Sequence, residues 1–302
     1  MSNSQPRLSL TLGPVLFNWS GERWTDFYNR IADEAPVDRV CIGEVVCSKR
    51  KPFRDEVILS TVDRLERGGK EVVYSTLALP TTKREIRDIR DMVEAGYLIE
   101  ANDIATVHLL GGRPHVIGPF LNIYNEETLA LHRELGATRI CLPPELPLES
   151  IRLIAKGNEV VEVFAFGRAP LALSARCYHA RAHGVPKDAC QFVCDRDADG
   201  MDVTTIDGRP FLAVNGIQTM GYVVTAATHQ IAALRDAGVV SLRLSPQSCD
   251  MVRVIRIFRD VADGHMTEQE ATEALGVLEL PGPMSDGFLR GVPGVRHFDE
   301  VD

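Results

Sequence analysis

The chain has 302 residues, of which 45% are hydrophobic and 25% charged, and a formal net charge of -9. That balance can bury the core of one large α/β domain or two smaller ones, and an acidic chain without a basic block argues against a long non-specific contact with nucleic acid. No stretch approaches the roughly eighteen apolar residues of a membrane span, and the opening MSNSQPRLSL lacks an apolar signal core, so a cytoplasmic protein with small-molecule or protein partners is expected.

In chain order, short β-rich segments alternate with helical ones. Strands are expected from Leu8 to Leu12, Arg39 to Gly43, Glu71 to Leu77, Tyr97 to Ala101, His115 to Gly118, Arg139 to Leu142, Val160 to Phe166 and Val240 to Leu244. Between them lie amphipathic stretches such as DEVILSTVDRLERGG, TTKREIRDIRDMVEAG and NEETLALHRELG, and Gly68, Gly69, Gly96 and Gly136 stand where helices should stop. Eight βα units favour an α/β fold of the (β/α)8 TIM-barrel type over a doubly wound sheet, which would want a GxGxxG after its first strand. One barrel-like domain over 1–302 is expected. The rhythm breaks once, after the seventh strand, where an insertion at about 174–219 holds a cysteine-bearing loop and MDVTTIDGRPFLAVNG, which alternates like a β-hairpin around Asp207 and Gly208. The Gly- and Pro-rich stretch at about 280–302 reads as an irregular tail.

The insertion carries Cys177, Cys190 and Cys194 in a C-x(12)-C-x(3)-C pattern. Three thiols in one polar loop of a cytoplasmic protein suggest metal ligands, and thiolates select zinc or iron–sulfur over magnesium or calcium. The spacing matches neither a zinc ribbon nor a CxxC redox motif, so a cluster held by four cysteines fits better, with a disulfide loop or idle thiols as the bland reading. Cys47 and Cys249 compete for the fourth place, and spacing leaves both open. In a barrel, Cys47 after the second strand and the loop after the seventh share the C-terminal rim. Cys41 and Cys141, inside apolar strands, read as small buried hydrophobes.

Several neighbours have two readings. DRDADG from Asp195 to Gly200 resembles half of an EF-hand loop, but its twelfth position is Ile206, so a solvated turn is expected instead of calcium. His179 and His183 would face one way if a helix forms there, as candidate zinc ligands or as polar loop residues. Glu44, Asp103, Asn122 and Glu145 fall at strand ends, where barrel enzymes place their chemistry and where helices also need caps. Lys49, Arg50, Lys51, Arg176 and Arg243 could hold a small carboxylate or be ordinary surface charge.

GEVVCSKRK around Cys47, STLAL (75–79), NIYN (122–125), PPEL (143–146), SARCYHAR, PKDACQFVC, NGIQTM (215–220) and RLSPQ (243–247) together resemble the UbiV branch of the collagenase-like peptidase U32 superfamily. The resemblance runs from LGPVL at Leu12 through RLSPQ. It implies a barrel-like domain, and a [4Fe-4S] cluster on Cys47, Cys177, Cys190 and Cys194, with Cys249 a bystander. It also implies oxygen-independent hydroxylation in ubiquinone biosynthesis, as a heterodimer with a UbiU-like paralogue and with prephenate as oxygen donor. A quinone-precursor lipid, or its carrier protein, would then be the partner on the substrate side. Glu44, Asn122, Glu145 and Arg176 are the candidates for catalysis. Neither HExxH nor GxSxG occurs, so the peptidase chemistry of the superfamily's name is not expected. The other readings of the cysteines are a zinc-stabilised binding protein and an RNA-base hydroxylase of the same superfamily, the latter calling for a basic surface.

Overall fold

A computed structural model describes residues 7–296. The first seven strands are β1 (Ser9–Leu12), β2 (Arg39–Ile42), β3 (Glu71–Ser75), β4 (Ile99–Ala101), β5 (His115–Ile117), β6 (Ala137–Cys141) and β7 (Val161–Leu173). They are separated by helices α1 (Gly21–Glu34), α2 (Ile58–Arg67), α3 (Lys83–Glu94), α4 (Ile104–Leu110), α5 (Glu126–Glu134) and α6 (Leu148–Ala155). The insertion contributes α7 (Tyr178–Ala182) and strands β8 (Met201–Thr204), β9 (Pro210–Asn215) and β10 (Gln218–Ala226). After it come α8 (Ile231–Asp236), β11 (Ser241–Leu244), α9 (Met251–Ala262), α10 (Glu268–Gly276) and β12 (Met284–Ser285).

Strands β1 to β7 pair in order and in parallel, and β11 pairs with both β7 and β1, which closes an eight-stranded parallel barrel inside a ring of helices. This is the (β/α)8 architecture that the eight βα units predict, with each expected strand found within a few residues of its place. The seventh strand is longer than expected. Beyond Phe166 it leaves the barrel and pairs antiparallel with β10, which pairs with β9, and β9 with β8. The expected hairpin is β8–β9, turning at Gly208; the strand β10 that carries the sheet back was not expected. Of the expected irregular tail, residues 297–302 lie outside the described residues, and the part before them is tied to the barrel. Met284 and Ser285 add to β10, and the Leu289 carbonyl accepts from the Leu148 amide on α6.

The main apolar core lies between strands and helices, while Cys41, Val73 and Val116 form a small cluster of their own. Strand side chains alternate between those two environments. The inward set also carries charge. Arg243 of β11 reaches Glu100 of β4 at 2.5 Å and Glu162 of β7 at 2.6 Å, all three almost fully buried. Thr11 and Ser241 hydroxyls donate to Glu162 at 2.5 and 2.9 Å, and Ser75 donates to Glu100 at 2.6 Å. Arg243, a candidate anion binder from sequence, is therefore committed inside the barrel. Cys41 is indeed buried, yet its thiol also touches this network, at 3.8 Å from both Glu100 and Arg243.

Burial raises the pKa of Glu162, but the Arg243 cation and the Thr11 hydrogen bond overcome it and hold the carboxyl at about 2, against an ordinary 4.5. A group depressed in the folded state stabilises fully above its unfolded pKa and loses that contribution as pH falls towards the folded one. Glu162→Gln should cost about 3 kcal/mol near neutrality, because it leaves Arg243 with one buried carboxylate. It should also flatten the loss of stability below pH 4.5. Urea denaturation at stepped pH checks both, and an unchanged acid slope would refute the assignment.

Candidate metal centre

The β2–α2 connection is shaped by Glu44. Its carboxylate is buried and accepts the amides of Val46 and Cys47, each at 2.9 Å, while Arg54 donates to its other oxygen at 2.9 Å. Arg54 also donates to the Phe17 carbonyl at 2.9 Å, so the turn bearing Cys47 is fastened to the loop after β1. Gly43 sits at φ +138°, where an added Cβ would stand 2.5 Å from the Ser75 carbonyl oxygen; only glycine lets the turn lie this close to β3. Glu44 thus holds the turn in place, with both of its carboxylate oxygens engaged.

The insertion brings the other three thiols. Cys177 caps α7, its sulfur accepting the Ala180 amide at 3.4 Å. Cys190 closes a 3-10 turn at Lys187–Ala189, and Cys194 lies in another at Val193–Arg196. Between them Gln191 and Phe192 both take left-handed backbone, φ +51° and +54°, which reverses the chain within three residues. Cys47, Cys177, Cys190 and Cys194 then line one small cavity, together with Arg50, His179, Phe192 and Gly216. Phe192 meets Phe53 edge-on at 4.8 Å beside it. Cys249 does not line this cavity. It packs against the core with its sulfur 3.7 Å from that of Met251, and burial pushes its thiol up to about 12.

Arg50 is the residue whose weight the sequence did not convey. It is 1% exposed, donates to the Leu16 carbonyl at 2.8 Å and to Asn215 Oδ1 at 3.0 Å, and its Nε has no partner. Asn215 in turn donates to Leu16 and Gln218, so the β9–β10 turn is built against the guanidinium. Gly216 at φ +62° leaves room for it: a Cβ there would be 3.1 Å from Arg50 Nη2. Burial pushes the Cys47 thiol above its usual value, against the pull of Arg50. Burial alone would lower the pKa of Arg50, and the negative fields of Glu44, Cys194 and Cys47 raise it. A buried cation with an orphaned donor facing four thiols suits an anionic, thiolate-held group. Among the described residues no three His, Cys, Asp or Glu side chains converge closely enough for a single metal ion.

The remaining candidates fall elsewhere. Asp103 caps α4, accepting from Ala105 and Thr106 at 2.8 and 3.1 Å. Glu145 is hydrogen-bonded by the Tyr124 hydroxyl, and Asn122 is exposed with φ +55°; neither lines the thiol cavity. Arg176 is exposed beside Cys177. Lys49 donates to the Lys187 carbonyl at 2.7 Å, and Lys51 pairs with Asp55 at 2.8 Å. The helix that would align His179 with His183 does form, but His179 Nε2 bonds Asp197 at 2.7 Å. The acidic segment is a partly solvated turn that is also tethered: Trp19 donates to the Ala198 carbonyl at 2.7 Å, and Asp199 accepts the Ser248 amide at 2.7 Å.

A family model described as Peptidase family U32 matches residues 22–297. Among solved structures the chain is similar to N-isopropylammelide isopropylaminohydrolase from Burkholderia multivorans, at 15% identity and a TM-score of 0.32. That match covers 88% of this chain, which spans 65% of the length of the other. Among the described residues no helix is long and apolar enough to cross a membrane.

Replacing Glu44 by Ala should leave the Val46 and Cys47 amides and the Arg54 guanidinium without their acceptor, at a cost on the order of 3 kcal/mol. In chelator-treated protein, iodoacetamide should then alkylate Cys47 about tenfold faster than in the parent, through local opening, while buried Cys41 stays inert. Equal rates at Cys47 would show that Glu44 does not hold the turn.

Proposed function

The chain belongs to peptidase family U32, and from that footing we propose that it is the iron–sulfur subunit of an oxygen-independent hydroxylase in ubiquinone biosynthesis. It would work as a heterodimer with a UbiU-like paralogue, with prephenate as the oxygen donor. The observation that carries the reading is the convergence of Cys47, Cys177, Cys190 and Cys194 on one cavity beside the unpartnered Nε of Arg50. Those four thiolates would hold a [4Fe-4S] cluster. When bound, such a cluster supplies one-electron redox chemistry at a potential tuned by charge, hydrogen bonds and solvent access.

The chain's own groups have definite tasks around it. Arg50 offsets the negative charge of the thiolates and offers a donor to a sulfur. Glu44 and Arg54 hold the Cys47 turn in place, and Phe192 walls the cavity with the exposed Phe53 edge-on against it. The C-x(12)-C-x(3)-C spacing fits a cluster better than a zinc ribbon, and the net charge of -9 favours a small-molecule substrate over RNA.

Anaerobically purified protein should contain iron and acid-labile sulfide and be brown. Cys47→Ala, Cys177→Ala, Cys190→Ala and Cys194→Ala should each remove most of both, and Cys249→Ala should remove neither. Iron retained by Cys47→Ala and lost from Cys249→Ala would overturn the ligand set. Zinc in a colourless parent would overturn the cluster. The pathway is tested separately, by co-purification with the paralogue and by quinone synthesis in anaerobic cells carrying the same variants.

A further inference from the structure

The four thiols are not held alike. Cys47 is fixed by Glu44, and the Cys177 segment is fixed to the β9–β10 turn, where the Ser174 amide donates to the Ile217 carbonyl at 2.9 Å and the Tyr178 amide to that of Gly216 at 3.1 Å. Cys194 is buried, with Val193 beside it. Cys190 lies instead in a largely exposed arm, residues 186–192, that is fastened by two lysines. Lys49, from the Cys47 turn, donates to the Lys187 carbonyl at 2.7 Å and approaches Asp188 at 3.5 Å. Lys187 donates in turn to the Ala175 carbonyl at 3.0 Å, two residues before Cys177. Among the described residues, every hydrogen bond that joins the arm to the chain outside 186–195 runs through one of these two amines.

The same lysines stand at an entrance. A wider cleft of about 390 Å³ adjoins the thiol cavity, and Cys47, Lys49, Lys187 and Ile217 line both. At its far end the arm reverses through Gln191 and Phe192, whose left-handed backbone disfavours both side chains and persists only while the surroundings impose it. Sparse fastening and strained backbone thus meet in one segment at the boundary of the larger volume. Such a segment opens at low cost.

We propose that residues 186–192 form a latch over the thiol cavity, with Lys49 and Lys187 as the positioning residues that keep it shut, and that a thiolate-held cargo enters and leaves from the cleft side when their bonds break. Each bond sets an ammonium on a backbone carbonyl, which makes it charge-assisted. Lys49 joins the Cys47 turn to the Cys190 arm, and Lys187 joins that arm to the Cys177 segment, so three ligand-bearing segments are closed into a ring. Losing either amine breaks the ring.

The proposal rests on the function above for the identity of the cargo, and not for the opening of the arm. Chelator-treated protein is labelled with iodoacetamide and the labelled peptides are resolved by mass spectrometry. Lys49→Met and Lys187→Met should each speed labelling of Cys190 about tenfold, the worth of one such bond, with Cys177 within threefold of the parent and Cys41 inert. Removing a cation raises the pKa of a nearby thiol and would slow labelling, so faster labelling reports opening and not charge. Lys49→Arg should restore the parent rate. Lys51→Met, at the cleft but not at the thiol cavity, should leave it unchanged. Gln191→Gly relieves the left-handed strain in the closed arm and should slow Cys190 about threefold; this variant decides alone should Cys41 become labelled and so report loss of the barrel in the lysine variants. Parent-like labelling of Cys190 in both Lys→Met variants or in Gln191→Gly, equal acceleration at Cys177, or acceleration by Lys51→Met would overturn the latch. In anaerobic protein, iron should pass to excess bathophenanthroline disulfonate about tenfold faster in the two Lys→Met variants, from the same starting content. A parent without iron would remove the cluster reading and leave the labelling to decide the latch; iron present with Cys190 labelling unchanged would do the reverse.

Discussion

One guanidinium holds the barrel shut. Arg243 lies on the last strand to join, and its two carboxylate partners come from β4 and β7, so the ion triad crosses the interior as well as the seam between β7 and β11. A buried triad of this kind adds little net stability over an apolar filling, but with every oxygen supplied by a donor it penalises any other register strongly. A slip of one residue in β11 would turn Arg243 outward into the apolar layer and leave Glu100 and Glu162 unpaired. The rim geometry that the loops exploit follows from that register.

The candidate site lies to one side of the barrel axis. On the axis, the C-terminal mouth is filled by amides and close backbone: Asn102 and Gln247 are buried, and a Cβ on Gly118 or Gly167 would collide with Asn102 or Ser245. The open volume is found over the β2 and β3 loops, where the insertion folds back across the rim. Two arginines fasten that arrangement. Arg54 ties the Cys47 turn to the loop after β1, and Arg50 ties the same loop to the β9–β10 turn, so barrel and insertion meet on a shared polar seam.

Much of this was readable beforehand, for physical reasons that also mark the limits. The eight barrel strands were legible because parallel strands buried on both faces are short apolar runs bounded by glycine and charge, as at VCIGE and ICLPPE. The thiols were legible because cysteines are scarce and three crowd into one loop. Strand β10 was missed because MGYVVTA follows a turn with no strong hairpin signal beyond Gly216. Glu100 and Glu162 were missed since a lone acid in a strand looks like an exposed edge residue, and only three-dimensional closure brings Arg243 to it. For Glu44 and Asp103 the strand-end position was legible, and of the two roles it offers the carboxylates take the capping and loop-fastening one, because backbone amides lie nearest. Arg50 looked like one cation in a run of three, and nothing local reveals that the β9–β10 turn, more than 150 residues away, buries it.

The position of β11 after the insertion has a consequence for synthesis. A chain made from its N-terminus displays Cys47, and then the three insertion thiols, while the barrel is still a seven-stranded open sheet with unpaired edges at β1 and β7. Those edges invite pairing with other chains until residues 241–244 emerge and are drawn in by Glu100 and Glu162. The nascent chain thus exposes all four thiols before its fold is complete, at the moment of greatest exposure to misassembly.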